Sequence, residues 1–489
     1  MNEANSGSNP HSGDKLSRLI FLSLIAALGG FLFGFDSGVI NGTVDGLQRA
    51  FDSDAIGTGF NVSSMLLGCM AGVFLAGAIA DRYGRKPVMI GAALLFIVSA
   101  WGSGIAGTSG TFIFYRVLGG FAVGAASVLA PAYIAEIAPA RIRGRLACLQ
   151  QLMIVIGLFT AFFSNYIIAS LAGGASEELW AGFNAWRWMF WVEIAPASIF
   201  LVLLLFVPES PRYLVAAGRH ERARAVLASI STAEHAAAKV EEIKRTVFGE
   251  RKPRMSDILV AGSRRVHPIV WVGVALAALQ QFTGINVVFY YGAVLWQAAG
   301  FTEADALLSN VVTGFVNIAF TCIAISLVDR LGRKPLLMLG ALGQATTLGI
   351  LAVVFGTAAQ AEGGTLELSR AAAVTALLAL NGYIAFFALT WGPVVWVMLG
   401  EMFPNKYRGA ALAMCGMVLW GSNFIITMTF PILLDLVGLG VSYGLYAAAG
   451  VLAFFFVKRF IEETKGKTLE EMSLANEERE NRSLTREDP

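Results

Sequence analysis

Two charged side chains stand inside long apolar segments of this 489-residue chain. Asp36 lies within residues 17–41, and Arg116 lies within residues 111–135. If these segments cross a membrane, an ionised and unpaired carboxylate there costs roughly 2.5–3.5 kcal/mol, so Asp36 needs a cation or a proton. We expect Arg116 to be the cation. Separating such a pair would let Asp36 load and release a proton; a permanent structural ion pair is the alternative.

Glu193 is a second acidic residue in an apolar segment. Its charge needs a partner for the same reason. We expect it either to assist the Asp36–Arg116 pair or to pair with a basic residue near a helix end, such as Arg187 or Arg145.

The composition indicates which class of protein contains these residues. Hydrophobic residues make up 56% of the chain and charged residues 14%, against roughly 25% charged residues in an ordinary soluble domain. This excludes a soluble enzyme, a fibre and a disordered protein. The net charge of +2 gives no electrostatic argument for nucleic acid binding. The four cysteines and four histidines form no ligand set, so neither a metal nor a cofactor is expected.

Apolar stretches of about 20 residues, long enough to cross a membrane, recur twelve times. We place them at 17–41, 59–80, 88–107, 111–135, 147–171, 188–207, 268–299, 305–328, 336–357, 371–400, 410–431 and 438–461. The predicted fold class is therefore an all-α polytopic membrane protein. Most Lys and Arg residues lie in one set of loops and in both chain ends, while Arg49, Arg187 and Arg370 lie opposite. Since positive charge marks the cytoplasmic side, both termini are predicted to be cytoplasmic.

Three short motifs occur once in each half of the sequence. DRYGRKP at 81–87 returns as DRLGRKP at 329–335, and ExxPxxxRG at 136–144 returns at 401–409. PESPR at 208–212 and EETKG at 462–466 end the two halves. Matching motifs in the same order indicate two homologous six-helix halves. Parallel halves are the plan of transporters that rock around a midplane site and expose it to each side in turn.

The charged residues of these motifs could form ion pairs across the two halves and close the cytoplasmic side. Setting the topology and anchoring helices is their alternative role. The predicted cytoplasmic gate network comprises Asp81, Arg85, Glu136, Arg143, Glu209, Arg212, Asp329, Arg333, Glu401, Arg408 and Glu463.

The repeated DRxGRK motif, PESPRYL at 208–214, QQFTGIN at 280–286 and ETKG at 463–466 resemble a known family. They are similar to the motifs of the sugar porter family of the major facilitator superfamily, especially its bacterial hexose porters. The similarity extends over about residues 20–470. It implies the major facilitator fold, with twelve transmembrane helices in two pseudo-symmetric six-helix halves.

A monosaccharide presents hydroxyl groups and apolar C–H faces, so its site needs amide side chains and an aromatic plate. The resemblance implies that the sugar is contacted by Gln151, Gln280, Gln281, Asn286, Asn317 and Trp396. A break at Gly284 would bring the amides on either side of it together. Further candidates in the spans are Trp420, Asn423, Phe33 and Tyr290, for which helix packing is the alternative role.

The resemblance also implies a coupling mechanism. In proton-coupled sugar porters, the residues that match Asp36 and Arg116 form a pair, and protonation of the aspartate frees the arginine. Glu193 occupies a position that the family shares. The second Gln that follows one heptad after Gln151 in xylose porters is Leu158 here, as in hexose porters, and Leu419 replaces a polar residue found in many relatives.

We therefore predict a secondary active transporter, and not an enzyme, that imports a monosaccharide together with protons. D-glucose or another hexose is the first expectation. The alternatives are an uncoupled hexose facilitator, a pentose or polyol porter, and a sugar sensor without transport. The expected partners are the sugar, protons and the lipid bilayer, and the protein is expected to work as a monomer in the inner membrane.

The same reasoning predicts five segments of the chain. A cytoplasmic tail at 1–16 precedes the first six-helix half at 17–207. A cytoplasmic linker with short helices, at 208–266, leads to the second half at 267–462, and a cytoplasmic tail follows at 463–489.

Overall fold

A computed structural model describes residues 11–249, 255–260, 265–360, 366–404 and 407–465. The helices of the first half are α1 His11–Val39, α2 Val44–Phe51, α3 Ala55–Tyr83, α4 Arg85–Ile105, α5 Ser109–Ile137, α6 Ala140–Ala172, α7 Ala185–Val192 and α8 Ile194–Phe206. A 3-10 turn, Ile40–Gly42, joins α1 to α2.

The described residues of the linker form three short helices and a 3-10 turn, Met255–Ile258. These helices are α9 Pro211–Ala216, α10 His220–Ala228 and α11 Ala233–Gly249. The short helices that the sequence predicts for this linker are thus present. Leu214, Ala223 and Leu227 are buried between the three helices, which packs the linker into one unit.

The second half repeats the plan of the first. Its helices are α12 Pro268–Phe282, α13 Ile285–Ala298, α14 Glu303–Leu331, α15 Arg333–Gly356, α16 Arg370–Leu389, α17 Trp391–Met402 and α18 Arg408–Phe460. Two small hairpins pair β1 Glu178–Trp180 with β2 Phe183–Asn184, and β3 Ala359–Gln360 with β4 Leu366–Glu367.

Eleven helical segments of the described residues are long and apolar enough to cross a membrane. One of them, α18, has 53 residues and would be about 80 Å long, more than twice the hydrocarbon thickness. Its backbone breaks at Gly438, where φ is 73° and ψ is 177°. The chain therefore makes the twelve crossings that the sequence predicts. Residues 432–437, predicted to be a loop, are instead helical up to that break.

The sixth, seventh and tenth crossings are interrupted near the centre of the bundle. The seventh breaks as predicted at Gly284, whose φ of 82° suits a residue without Cβ. The tenth breaks at Thr390, because Pro393 has no N–H for the carbonyl of the residue four positions before it. Pro196 similarly explains why α7 ends at Val192.

Helices α1 and α6 are in backbone contact along a row of glycines. These glycines recur at every fourth position from Gly30 to Gly42. A Cβ atom at Gly34 would lie 1.9 Å from the backbone oxygen of Ile154, and one at Gly157 would lie 2.0 Å from the backbone oxygen of Phe31. Small residues permit this close approach of helices in a membrane.

The bundle has two distinct ends. We call the end that carries α9–α11 the linker side, and the end that carries Asn41 the distal side. Lys15, near the start of α1, donates to the backbone oxygen of Ser231 on the linker side at 2.7 Å. The helix α1 therefore crosses the bundle from the linker side to the distal side.

Candidate functional site

The structure brings Asp36 of α1 and Arg116 of α5 together in the first half. Arg116 donates from Nη1 to Oδ1 of Asp36, and from Nη2 to the backbone oxygen of Asp36 at 3.2 Å. Sδ of Met65 lies 3.1 Å from the same Nη2, and the guanidinium lies 5.5 Å from the centre of the Phe190 ring. Both charged side chains are 1% exposed. The arginine is therefore held by protein groups in an apolar interior.

Glu193 lies beside this pair, at the interruption between α7 and α8. It is 1% exposed, and within the described part of the chain neither of its carboxyl oxygens nor Oδ2 of Asp36 has a hydrogen-bond partner. The two carboxyl groups are near enough for their charges to interact. Two neighbouring carboxylates in an apolar interior repel each other, and a single proton held by the two groups would remove this repulsion.

Arg187 does not pair with Glu193, which corrects one of the two partners suggested by the sequence. Its Nη1 donates to the backbone oxygens of Gly104 at 2.7 Å and Ala106 at 2.9 Å. These carbonyls end α4, where the helix dipole favours a cation. The side chain of Arg145, the other suggested partner, lies outside the described residues.

Three amide side chains form a chain of hydrogen bonds at the break in the seventh crossing. Asn286 donates to Oε1 of Gln281, and Gln281 donates to Oε1 of Gln280 at 3.3 Å. Gln280 donates in turn to the backbone oxygen of Trp391, at the break in the tenth crossing, at 2.8 Å. An amide has two donor hydrogens and an acceptor oxygen, so this chain keeps capacity for the hydroxyl groups of a ligand.

The aromatic candidates lie where the two halves meet. The rings of Phe33 in α1 and Trp420 in α18 are 5.6 Å apart between centroids. The hydroxyl of Tyr290 accepts from Nδ2 of Asn423 at 3.5 Å, and the same hydroxyl faces Ser37, the neighbour of Asp36. Tyr290 thus lies between the amide-bearing half and the ion pair.

Three other candidates share no hydrogen bond or ring contact with these clusters among the described residues. Gln151 is half-buried and Asn317 is buried, and neither side chain forms a hydrogen bond with the residues that the structure describes. Trp396 is 45% exposed.

Asn41 joins the two halves on the distal side. Its Nδ2 donates to the backbone oxygen of Phe289 at 2.8 Å, and its Oδ1 accepts from the backbone N–H of Ala293 at 3.2 Å. Phe289 and Ala293 are four residues apart in α13, so Asn41 contacts both members of one helical hydrogen-bond pair. Asn310 also donates to Oδ1 of Asn41, at 2.8 Å.

Further polar contacts close the same side. Gln297 donates to Oδ2 of Asp45, and the backbone N–H of Ala175 donates to Oε1 of Glu303 at 2.7 Å. Each contact joins one half to the other. The sequence reasoning missed all of these residues, although the position of Asn41, five residues after Asp36, was a signal that could have singled it out.

On the linker side, the motif residues of the first half form one network. Arg85 pairs with Glu136 at 3.1 Å and with Asp81 at 3.2 Å. Oε1 of Glu209 accepts from the backbone N–H groups of Arg85 at 2.9 Å and of the next residue at 3.3 Å. Ser210, which the sequence analysis did not select, donates to Oε2 of Glu136.

The second half contains the same network. Arg333 donates to both carboxyl oxygens of Glu401, at 2.9 and 3.1 Å. Glu463 accepts from the backbone N–H groups of Arg333 at 2.9 Å and of Lys334 at 3.0 Å. Thr464 donates to Oε2 of Glu401 at 2.5 Å, as Ser210 does to Glu136. The repeat in the sequence is thus also a repeat of hydrogen bonds.

The remaining gate candidates have other surroundings. Arg408 donates to the backbone oxygen of Phe403, and Arg212 is exposed. The side chains of Arg143 and Asp329 lie outside the described residues. Among the ion pairs that the structure does describe, each lies within one half or within the linker, and none of them joins the two halves as the sequence led us to expect.

Comparison with known proteins identifies the family. The profile described as "Sugar (and other) transporter" matches residues 22–475. The chain belongs to this sugar transporter family. It is 53% identical over 475 residues to the glucose transport protein of a Synechocystis strain, covering 96% of this chain and 100% of that protein. It is 40% identical over 488 residues to the D-xylose-proton symporter of Escherichia coli, covering 93% and 95% of the two chains.

Solved structures agree with the fold. The xylose transporter of Escherichia coli in a partially occluded inward-open conformation matches with a TM-score of 0.80 and 37% identity, over 92% of this chain and all of that one. Its inward-open conformation matches with a TM-score of 0.79 and 38% identity, over 94% and 99%. This sugar transporter therefore has the major facilitator fold, and it is not an enzyme.

Proposed function

We propose that this sugar transporter imports a hexose, with D-glucose first, together with protons. The observation that carries the proposal is the buried Asp36–Arg116 pair with Glu193 facing it. The names of two relatives support its two parts, since one is a glucose transport protein and the other a proton symporter.

The sugar would bind between the halves near the midplane. Gln280, Gln281 and Asn286 would exchange hydrogen bonds with its hydroxyl groups. Trp396 would supply the aromatic plate, and its 45% exposure leaves its ring accessible. Gln151, Asn317, Trp420, Asn423 and Phe33 would complete the site from neighbouring helices, and Tyr290 would lie between the sugar and the ion pair.

The proton would be held between the carboxyl groups of Asp36 and Glu193. With this proton bound, Asp36 loses charge and its attraction for Arg116 weakens, so the helices that carry them can move apart. Proton loading and sugar binding would then bias the same conformational equilibrium, which is the thermodynamic requirement for coupling.

The conformation described here would be the one closed to the outside. Hydrogen bonds between the halves lie on the distal side, around Asn41. The similarity of this chain to inward-open structures of the Escherichia coli xylose transporter supports this interpretation. In the opposite state, the gate network would form contacts between the halves on the linker side, with Arg143 and Asp329 taking part.

The topology proposed from positive charge places both termini and the linker side in the cytoplasm. The segment boundaries at 17–207, 208–266 and 267–462 follow from it. We further propose that the protein works as a monomer in the inner membrane, because each half already contains its own share of the candidate site.

An uncoupled hexose facilitator is the second candidate function. The ion pair favours it in one respect, because Arg116 already neutralises Asp36 without a proton. The two candidates differ in one measurable property, which is accumulation of sugar against its gradient.

The test is uptake of labelled glucose into proteoliposomes with and without an inward proton gradient. We expect wild type to accumulate glucose only with the gradient. Asp36→Asn should lose accumulation but retain exchange of glucose across the membrane. Glu178→Gln, which changes an exposed carboxylate in β1, is the matched control and should behave as wild type.

Equilibration without accumulation in both wild type and Asp36→Asn would establish the facilitator instead. Absence of glucose flux in wild type, with flux of a pentose or a polyol and of no other hexose, would contradict the hexose assignment while leaving coupling to be measured with that substrate.

A further inference from the structure

A cleft of about 510 Å³ lies on the linker side of the first half, away from the candidate sugar site. The ends of the membrane helices contribute Tyr83 and Pro87 to its walls. The linker and the segment leading into it contribute Glu209, Tyr213, Leu214, Arg219, Arg222, Ala225 and Val226. The cleft thus lies between the DRYGRKP motif and α10.

Two arginines give this cleft an excess of positive charge. Arg219 is the N-cap residue of α10, and Arg222 lies in the first turn of the same helix. Neither side chain forms an ion pair or hydrogen bond with any residue in the described ranges. Both arginine charges lie at the positive end of the helix dipole, where a cation is electrostatically unfavourable. Glu221 is the single acidic residue of that turn. A bound anion would remove this unfavourable interaction.

The one acidic residue among the described residues that line the cleft offsets only one of the two arginine charges. Oε1 of Glu209 accepts from the backbone N–H groups of Arg85, Lys86 and Ser210 at 2.7 to 3.3 Å. This carboxyl oxygen is therefore already occupied by backbone groups. A further cation lies beside Tyr83, where the Arg82 guanidinium is 5.4 Å from the centre of the ring.

We infer that this cleft binds a phosphate group. The guanidinium group of arginine matches phosphate oxygens in paired hydrogen bonds, and the exposed residues Arg219 and Arg222 both line this cleft. The rings of Tyr83 and Tyr213 and the side chains of Leu214 and Val226 provide an apolar wall for the rest of the ligand. The phosphate comes either from the headgroup of an anionic phospholipid or from a soluble phosphorylated compound, since the cleft adjoins the ends of membrane helices.

A ligand in this cleft would connect α10 to the loop between α3 and α4. Gly84 of that loop packs against Glu209, so the ligand would stabilise the first-half network that surrounds Arg85. Binding is therefore expected to change the ease with which the linker side rearranges. This inference uses neither the identity of the sugar nor proton coupling.

The test compares lipid and phosphate binding in three forms of the full chain. These are wild type, Arg219→Gln with Arg222→Gln, and the control Arg224→Gln with Arg245→Gln, which removes two exposed arginines of the linker outside the cleft. Native mass spectrometry with added phosphatidylglycerol measures bound lipid. Thermal unfolding with inorganic phosphate, against chloride at equal ionic strength, measures soluble phosphate binding.

For a lipid ligand, we expect the cleft variant to bind phosphatidylglycerol roughly 30-fold more weakly than wild type, and the control to bind as wild type. For a soluble ligand, inorganic phosphate should raise the unfolding temperature of wild type and the control but not of the cleft variant. Equal binding by the cleft and control variants in both assays would overturn the inference. In vesicles of phosphatidylcholine alone, the cleft variant should transport as wild type does, which separates this result from a failure of the proposed function.

Discussion

Glu209 and Glu463 occupy equivalent positions in the two halves. Each accepts hydrogen bonds from the first two backbone N–H groups of the helix that begins within a DRxGRK motif, which is α4 in the first half and α15 in the second. Each lies against the motif glycine, since a Cβ at Gly84 or Gly332 would lie 2.2 or 2.6 Å from a carboxyl oxygen. A carboxylate at a helix N-terminus is stabilised by the helix dipole. These two residues therefore anchor corresponding helices in both halves.

The anchoring by Glu463 predicts a dependence of stability on pH. Burial raises the pKa of the Glu463 carboxyl, but the backbone N–H groups that donate to it outweigh burial, and its pKa lies below the usual value. Its contribution is therefore present above the usual glutamate pKa of about 4.3 and is lost as the pH falls through the lowered value. We expect Glu463→Gln to lower the unfolding temperature at pH 7 and to approach wild type below about pH 4.

Glu367→Gln is the control for this measurement, because Glu367 is an exposed residue of β4. It should follow the wild-type curve at every pH. A difference between Glu463→Gln and wild type that persists unchanged as the pH falls well below the usual glutamate pKa of about 4.3 would contradict the prediction.

The motif glycines should not tolerate alanine. Gly84 has a φ of 103°, and Gly332 has a φ of 92°, which are conformations that residues with a Cβ rarely adopt. We expect Gly84→Ala and Gly332→Ala each to cost about 1–3 kcal/mol of stability. Gly77→Ala is the matched control in α3, where an added Cβ meets nothing within 4 Å. Thermal unfolding of the three variants measures the difference, and an effect of Gly77→Ala as large as the others would argue against it.

Replacing Asn41 should loosen the distal side. In Asn41→Leu, the contacts to Phe289, Ala293 and Asn310 are lost, and an unpaired buried amide costs about 1–3 kcal/mol. We expect faster hydrogen–deuterium exchange in residues 285–298, measured by mass spectrometry. Asn165→Leu is the control, because its amide is also buried but donates to Val39 within the same half. Equal exchange in both variants would show that Asn41 has no special role in closure.

The amide chain predicts a specific effect on sugar affinity. Gln281→Leu removes the central member of the chain, so we expect the KM for the transported sugar to rise roughly ten- to hundredfold. Gln344→Leu is the control: Gln344 is fully buried, and its amide atoms have no partner among the described residues. That variant should transport normally and be at least as stable as wild type. An unchanged KM for Gln281→Leu would remove this residue from the site.

The twelve crossings and the two halves could be predicted because they depend on properties that a sequence displays directly. These are apolar length, the distribution of positive charge and repeated motifs. The break at Gly284 was predictable for the same reason, since a glycine stands between amides in a long apolar run. The break at Thr390 is harder to place from the sequence, because Pro393 leaves the carbonyl four residues before it without a hydrogen bond, so the break does not lie at the proline itself.

The contacts between side chains were harder to predict from the sequence. The sequence places Trp396 and Gln151 in spans, but not on a face of the helix, so it could not predict that the first is 45% exposed and the second half-buried. Asn41 looks like any amide near a span end until its distance to Phe289 is known. Whether Gln151, Asn317 and Trp396 contact the sugar remains a prediction.

The close contact of α1 and α6 has a mechanical consequence. A backbone atom of one helix fits against a glycine of the other at both Gly34 and Gly157, so sliding either helix along its partner would cause collisions. We therefore expect the two helices to move as one rigid body. Asp36 lies in α1 and Gln151 in α6, so a displacement of α1 at the ion pair would also displace Gln151.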